Sequence, residues 1–234
     1  MNGKKKFILE LLTALIVFTC IFLIIRASKL DLIISDKAYE LTGFNSTTLL
    51  GTAAWIGKYL SVIFCSVALI SLPYLLKKKK PLAREAILAL CLLALGPGFL
   101  NNFIFKPLFQ RSRPVEIQRY NPESEFKFTP PLSIGDNKNG TSFPSGHSGA
   151  AFFFIFPWFC LRFRKKYGIR LIIPGFIFGA MTGAVRVLEG RHYLSDVIAS
   201  LCVVYLSATV ISFFLYRNCV SCNEEESAHT EENS

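Results

Sequence analysis

The sequence predicts an all-α integral membrane protein with six transmembrane helices. Hydrophobic residues make up 52% of the 234 residues, and the mean hydropathy of +0.42 is high for a soluble domain. The apolar residues form separate runs, several with the length of about 20 residues that crosses a bilayer as a helix. Lys and Arg collect in short blocks between these runs, as membrane topology requires.

The first predicted span covers residues 7–25 and follows the basic residues 4–6. A secretory signal peptide also begins with basic residues before an apolar run. Because this run is long and continues into Arg26-Ala27-Ser28-Lys29 without a small-x-small cleavage site, we interpret it as a membrane anchor. Residues 27–59 are of mixed polarity and predict an exposed loop with one interfacial helix at 53–56.

The remaining predicted spans are 60–76, 86–105, 149–161, 171–187 and 194–216. Gly96-Pro97-Gly98 interrupts the third span, a break that neighbouring helices can compensate. The fourth span is long enough only if Pro144 to Ser148 begin its helix. The acidic end of the chain predicts disorder. The predicted domains are therefore a membrane domain, 1–217, and a cytoplasmic tail, 218–234.

The basic blocks predict the orientation. Six spans bring residues 4–6, 77–80 and 162–166 to one side, together with Arg84, Arg170 and Arg217, and the positive-inside rule makes that side cytoplasmic. The opposite side receives residues 26–59, 106–148 and 188–193. In a Gram-negative inner membrane this side is periplasmic and both termini are cytoplasmic. Topology thus accounts for the net charge of +10, and we expect no nucleic-acid partner.

Lys106 and Arg113-Pro114 stand seven residues apart in the longest polar segment. If Pro107 opens a short helix, two turns bring both cations to one face. The structural alternative is that the two side chains snorkel at a membrane boundary. Arg111 and Arg119 have no assigned role and are expected to be solvated.

A second polar pattern, Pro144-Ser145-Gly146-His147, precedes the fourth span. The first turn of a helix has unpaired N–H groups and the positive end of the helix dipole. Gly146 allows a ligand to approach the backbone. The pattern therefore suits a phosphate group.

The third pattern, Arg186-x5-His192-x3-Asp196, lies between the last two spans. His192 and Asp196 have the i, i+4 spacing of one helix face, where a carboxylate can fix the imidazole tautomer. A structural pair would have the same spacing. Charged groups near the bilayer are costly without partners, however, and this favours a functional role.

Together the three patterns suit phosphoryl transfer. Cations and N–H groups would neutralise the phosphoryl oxygens, one histidine would attack phosphorus and the other would protonate the leaving alkoxide. The sequence has no evident carboxylate cluster for a divalent ion, so we predict metal-independent chemistry without a cofactor. Cys219 and Cys222 are too few for a zinc site, and we interpret them as non-functional or regulatory.

The three patterns resemble the signature motifs of the type 2 phosphatidic acid phosphatase superfamily. The resemblance implies a helical-bundle core, with His192 as the nucleophile, Asp196 orienting it and His147 as the general acid. It implies phosphate binding by Lys106, Arg113, Ser145, Gly146 and Arg186. One departure is Val185, because the third motif usually has a serine before its arginine.

Several shorter matches are similar to the bacterial lipid A phosphatases of this superfamily: Gly96-Pro97-Gly98, Asn102, Asn121, Phe128-x-Pro130-Pro131 and Ser142-Phe143. They imply lipid A as the phosphorylated lipid substrate, with the 4′ position preferred over the 1 position. The long loop 107–143 would contact a sugar headgroup, or would be a mobile lid without selectivity.

The sequence also allows other functions. Phosphatidylglycerophosphate and undecaprenyl pyrophosphate are rival substrates, and a lipid phosphotransferase would share the phosphohistidine step. A haloperoxidase-like protein would be larger and soluble. A non-catalytic transporter or assembly factor would explain the charged residues but not the two histidines.

Overall fold

The computed structural model of the protein describes residues 3–45, 48–80, 82–161 and 169–232. Within these residues all regular structure is helical, which confirms the predicted fold class. The helices are α1 Gly3–Ser28, α2 Leu30–Thr42, α3 Thr48–Lys77, α4 Leu82–Leu93, a π-helix Ala94–Phe105, α5 Lys106–Phe109, α6 Gly146–Phe152, α7 Phe156–Leu161, α8 Ile172–Leu188 and α9 Leu194–Glu232. Short 3-10 turns cover Pro114–Glu116, Phe153–Ile155 and Ile169–Leu171.

Four helices are long and apolar enough to cross a membrane: Gly3–Ser28, Gly51–Lys77, Leu82–Glu116 and Leu194–Tyr216. They correspond to the first, second, third and sixth predicted spans. The fourth and fifth predicted spans correspond to the shorter apolar helices Gly146–Leu161 and Ile172–Leu188. The protein is therefore a helical membrane protein, whereas the count of six crossings stays a prediction.

The structure corrects the loop predicted at 27–59. Helix α2 fills much of it, and α3 begins at Thr48 rather than near residue 60. The buried positions of α2 are Asp31, Ser35 and Ala38, at helical spacing. Because this buried face is polar or small, hydropathy does not reveal the helix.

The backbone of α9 is helical as far as Glu232, which differs from the disorder predicted for 218–234. Glutamate favours helix, and the acidic segment directly continues a stable span. The predicted basic block at 162–166 lies outside the described residues.

The core lies between α4, α7, α9 and the turn Phe153–Ile155. Fully buried side chains there include Leu88, Leu92, Phe153, Phe159 and Val204. Helix α8 approaches this region through glycines, since a methyl group on Gly175 would lie 2.3 Å from the Phe154 backbone. Small residues of this kind allow helices to pack closely where lipid removes the hydrophobic driving force.

Side-chain contacts join α1, α2, the loop 110–145 and the end of α8. Arg119 Nε donates to Asp36 Oδ1 over 2.7 Å, and Thr42 Oγ1 donates to the Leu188 carbonyl over 2.7 Å. Arg26 Nη1 donates to Ser133 Oγ over 2.9 Å. These contacts hold the polar segments together at one end of the bundle.

Candidate active site

The three sequence patterns meet at one cavity of about 280 Å³. The predicted site residues that line it are Lys106, Arg113, Gly146, His147, Arg186 and His192. Ser145 and Asp196 are fully buried and do not appear in its lining. The lining also includes Lys58, Asn102 and Thr141, which the sequence analysis did not assign to the site.

Lys106 is held by the break in the third span. Pro97 and Gly98 lie within the π-helix, and both carbonyls accept hydrogen bonds from Asn102 Nδ2 over 3.0 Å. Asn102 Oδ1 in turn accepts from Lys106 Nζ over 2.7 Å. The Asn102 side chain thus satisfies two carbonyls of the irregular backbone and holds the ammonium group at the same time.

Arg113 reaches the cavity by a different route from the one predicted. Pro107 is at the start of α5 as expected, but α5 ends after one turn at Gln110, where φ is 47°. The backbone of Arg113 is extended, so a two-turn helix carrying both cations is wrong. Arg113 Nη2 donates to Thr141 Oγ1 over 2.9 Å, which directs its guanidinium towards the second motif.

The second motif begins α6. Ser145 is the N-cap, and its Oγ accepts from the Ser148 N–H over 3.4 Å and pairs with Ser148 Oγ over 2.8 Å. His147 follows in the first turn and meets the edge of the Trp55 ring, with centroids 5.5 Å apart. Helix α3 therefore supplies one wall beside this histidine.

Arg186 lies near the end of α8, and its Nη1 donates to Glu189 Oε2 over 2.5 Å. The buried Nε atoms of Arg186 and Arg113 have no hydrogen-bond partner among the described residues. Arg113 Nε lies 3.9 Å from Glu116 Oε1, an ion-pair distance that is too long for a hydrogen bond. Buried donors are normally satisfied, so both N–H groups retain the capacity to bind an anion. Val185, the departure from the family motif, is not among the lining residues.

His192 precedes α9 rather than lying on it, because α9 begins at Leu194. The expected stacking of His192 and Asp196 on one helix face is therefore wrong. His192 Nδ1 lies 2.8 Å from the Ser142 carbonyl oxygen and 3.5 Å from Asp196 Oδ2. Burial lowers the pKa of His192; Asp196 opposes this shift, and Arg186 and Arg113 add to it.

Arg111 is 1% exposed, which corrects the prediction that it is solvated. Its guanidinium forms ion pairs with Asp196 over 2.6 Å and with Asp31 over 2.8 Å. A buried arginine needs such partners, and no local pattern indicates them because Asp31 is 80 residues away. Arg119 is exposed as predicted and pairs with Asp36.

Lys58 is the other missed cation. It stacks over Trp55 and Tyr59, 5.2 and 5.9 Å from the ring centroids, at the cavity wall. The available signal was a lysine between two aromatic residues at a membrane boundary, an arrangement typical of interfacial positions. Within the described residues no three His, Cys, Asp or Glu side chains form a metal-binding group, and metal independence stays a prediction.

A protein-family model and known proteins match this chain, and the two comparisons agree. The model of the PAP2 superfamily, the type 2 phosphatidic acid phosphatases, matches residues 85–219. A lipid A 4′-phosphatase from Francisella tularensis subsp. novicida is 30% identical over 72% of this chain and 76% of its own length. No solved structure matches.

Two further relatives are named lipid A 4′-phosphatase. The protein from Rhizobium etli is 33% identical over 49% of this chain and 44% of its own length. The protein from Rhizobium leguminosarum is 30% identical over 55% of this chain and 52% of its own length. The three motifs, the helical fold and the family match agree, and the chain belongs to the PAP2 superfamily.

Proposed function

We propose that the protein hydrolyses a phosphate monoester of a membrane lipid through a phosphohistidine intermediate. The observation that carries this proposal is the shared cavity, which His147 and His192 line together with Lys106, Arg113 and Arg186. Phosphoryl transfer needs a nucleophile, a proton donor and positive charge around the equatorial oxygens. In the proposed mechanism, residues of one cavity would supply all three.

The cations would hold the phosphate group. The Arg113 and Arg186 Nε groups are buried and make no hydrogen bond among the described residues, so a phosphate would satisfy them. Lys106 adds a third positive charge, aimed by Asn102. Gly146 leaves the backbone open at the start of α6, and Ser145 supports the phosphate indirectly by capping that helix.

His192 is suited to attack phosphorus. A carbonyl oxygen only accepts hydrogen bonds, so the contact with Ser142 places the proton on Nδ1 and leaves the Nε2 lone pair free. Attack by Nε2 would form the N–P bond as the bond from phosphorus to the lipid oxygen breaks. His147 would give its proton to that oxygen.

A water molecule would then complete the reaction. His147, now neutral, would accept a proton from the water as its oxygen attacks phosphorus. The N–P bond would break, inorganic phosphate would leave, and His192 would recover its free Nε2. Asp196 would orient the site throughout.

Lipid A is the substrate we propose, with the 4′-phosphate preferred over the 1-phosphate. The support is that all three relatives described above are named lipid A 4′-phosphatase. A cavity of about 280 Å³ is smaller than sites that enclose drug-sized ligands. It suits a phosphate and its attached atoms, with the acyl chains left in the bilayer.

We also propose an inner-membrane location with the cavity on the periplasmic face and both termini in the cytoplasm. The support is the distribution of basic residues along the sequence. Lys77 to Lys80 end α3 at the opposite end from Lys58, which lines the cavity.

The test is phosphate release by the purified protein in detergent micelles containing a chelator. The substrates are lipid A, phosphatidylglycerophosphate, phosphatidic acid and undecaprenyl pyrophosphate. We expect cleavage of lipid A by the wild type, no cleavage by His192→Ala, and unchanged cleavage by His229→Ala. The last variant is a matched control because His229 is the one histidine outside the motifs.

Mass analysis of the product would identify the phosphate that is lost. Preferred cleavage of another lipid in the panel would disprove the substrate and keep the mechanism. Full activity of His192→Ala would disprove the mechanism. Transfer of the phosphate to a second lipid, without inorganic phosphate, would identify a phosphotransferase instead.

A further inference from the structure

Arg111 joins two parts of the protein that are distant in sequence. Its Nη1 donates to Asp196 Oδ1 over 2.6 Å and to Ser195 Oγ over 2.7 Å, at the start of α9. Its Nη2 donates to Asp31 Oδ2 over 2.8 Å, in the first turn of α2. Its Nε donates to the Thr129 carbonyl over 2.9 Å. A planar guanidinium supports this arrangement of diverging bonds, and a lysine does not.

Asp31 binds the same helix start directly. Its Oδ1 accepts from the Ser195 N–H over 2.9 Å, and its Oδ2 accepts from Ser195 Oγ over 2.6 Å. Asp31 is 1% exposed, so its charge is balanced by Arg111 rather than by water. Helix α2 therefore fixes the position of the α9 N-terminus beside the cavity.

Asp196 is already occupied by groups other than His192. Its Oδ1 accepts from Arg111, and its Oδ2 accepts from Ser142 Oγ over 2.5 Å and from the Tyr193 N–H over 2.8 Å. The separation of 3.5 Å between His192 Nδ1 and Oδ2 is long for an N–H to oxygen hydrogen bond. The carboxylate therefore affects the orientation of the His192 ring mainly through another residue.

Ser142 is that residue. Its carbonyl lies 2.8 Å from His192 Nδ1, its Oγ donates to Asp196, and its N–H donates to the Arg111 carbonyl over 3.0 Å. The backbone of Ser142 is therefore fixed on one side by Arg111 and on the other by Asp196. Any movement of either neighbour would move the acceptor of the His192 ring proton.

We propose that Asp31, Arg111 and Ser142 are positioning residues that hold His192 in its Nδ1–H tautomer, with Arg111 as their centre. The assignment of His192 as the nucleophile rests on the proposed function. The network itself does not touch the cavity, because none of the three residues lines it. Asp31 also lies before residue 85, where the family match begins.

The test combines kinetics with nitrogen NMR of protein labelled at histidine. The chain has three histidines, so His147→Gln and His229→Gln assign the His192 signals. The variants are Asp31→Asn, Ser142→Ala, Arg111→Lys and the double variant Asp31→Asn with Arg111→Met. The double variant avoids leaving Asp31 charged without its partner.

In the wild type we expect one neutral His192 tautomer with the proton on Nδ1. In the double variant we expect a mixture of the two tautomers and a kcat lower by about 10- to 100-fold, the effect of removing an orienting partner. KM should change much less than kcat, because the phosphate ligands are untouched. Arg111→Lys should also give a mixture of the two His192 tautomers, since an ammonium group cannot bridge both carboxylates.

Arg119→Met is the matched control. Arg119 also joins the long loop to an aspartate of α2, but it is exposed and its pair with Asp36 is solvated. This variant should keep the wild-type tautomer and kcat. Asp31→Asn and Ser142→Ala supply the same readouts if the double variant does not fold.

Three results would overturn the proposal. One is a wild-type His192 with its proton on Nε2, and another is a folded double variant with wild-type kcat and tautomer. The third is a large loss of kcat with an unchanged tautomer, since the network would then act on something other than His192. The tautomer is measured without substrate, so an inactive wild type would disprove the proposed function and leave this inference testable.

Discussion

Two effects act on the protonation of the His192 imidazole. Removal from water disfavours its charged form, and the cations that would bind phosphate also repel a proton. The adjacent Asp196 favours the charged form but is shared with Arg111 and Ser142. A neutral imidazole with a free Nε2 at neutral pH is the state that a nucleophile needs.

This gives a prediction for pH. Burial lowers the pKa of His192 below its ordinary value of 6.5, so the ring stays neutral until the pH falls through that lower pKa. An NMR titration of labelled protein should give a His192 midpoint below pH 6.5, and His229 provides an internal comparison. A midpoint above pH 6.5 would show that Asp196 dominates burial.

Lys58 gives a second prediction, which concerns substrate binding. As a fourth cation at the cavity wall it should attract an anionic substrate, and hydrogen bonds to charged groups contribute about 1.5–3 kcal/mol. Lys58→Met should therefore raise KM by about 10-fold or more, with a smaller change in kcat. Lys37→Met is the control, because Lys37 is an exposed lysine of α2 away from the lining. An unchanged KM for Lys58→Met would remove Lys58 from substrate binding.

Three arginines of one loop show that residue type alone does not predict burial. Arg113 lines the cavity, Arg111 is fully buried and Arg119 is exposed, although all three lie within nine positions. The motif identified Arg113. Nothing local separates Arg111 from Arg119, because the difference depends on which aspartate of α2 each one meets.

The membrane spans were predictable wherever an apolar run determined a helix. The starts of α6 and α8 agree with the predicted fourth and fifth spans within a few residues. Helix α2 was not predictable, because its buried face contains Ser35 and Asp31, which is bonded to polar groups, instead of large apolar side chains. The single turn of α5 was also missed, since the left-handed backbone at Gln110 ends it without a glycine.

The close packing of α8 leads to a prediction about Gly175. A methyl group on Gly175 would lie 2.3 to 2.4 Å from the Phe154 and Ile155 backbone, and backbone atoms cannot move aside cheaply. Gly175→Ala should destabilise the protein by about 1–3 kcal/mol despite the better helix propensity of alanine. Thermal unfolding in detergent would measure this loss.

Ala184→Val is the comparison for Gly175→Ala, since Ala184 is an exposed position of the same helix. It should leave the unfolding temperature nearly unchanged. Equal stability of the two variants would mean that α8 and the turn at Phe153–Ile155 are not in tight contact.

For the whole molecule, orientation can be tested by labelling. In a background with Cys219 and Cys222 replaced by serine, Lys138→Cys in the long loop should react with a membrane-impermeant maleimide in intact cells. Lys78→Cys, after α3, should react only after the membrane is opened. Both positions are exposed, so accessibility within the protein does not bias the comparison. The opposite pattern of labelling would reverse the proposed topology.

The sequence predicted the class of fold and which residues share the cavity, because motifs and hydropathy are short-range patterns. Six of the eight predicted site residues line that cavity. The contribution of the N-terminal helices was not predictable, since Asp31 contacts Arg111 and Lys58 lines the cavity with residues far along the chain. Such contacts depend on how helices pack and leave no pattern in the local sequence.

The pairing of Asp31 with Arg111 also bears on how related chains diverge. A buried charge without its partner is strongly unfavourable, so a change at one of these positions should be tolerated only with a change at the other. Asp31 and Arg111 should therefore covary among relatives that share α2. A hybrid that joins the first 84 residues of one relative to the remainder of another should be active only when the two parents agree at this pair.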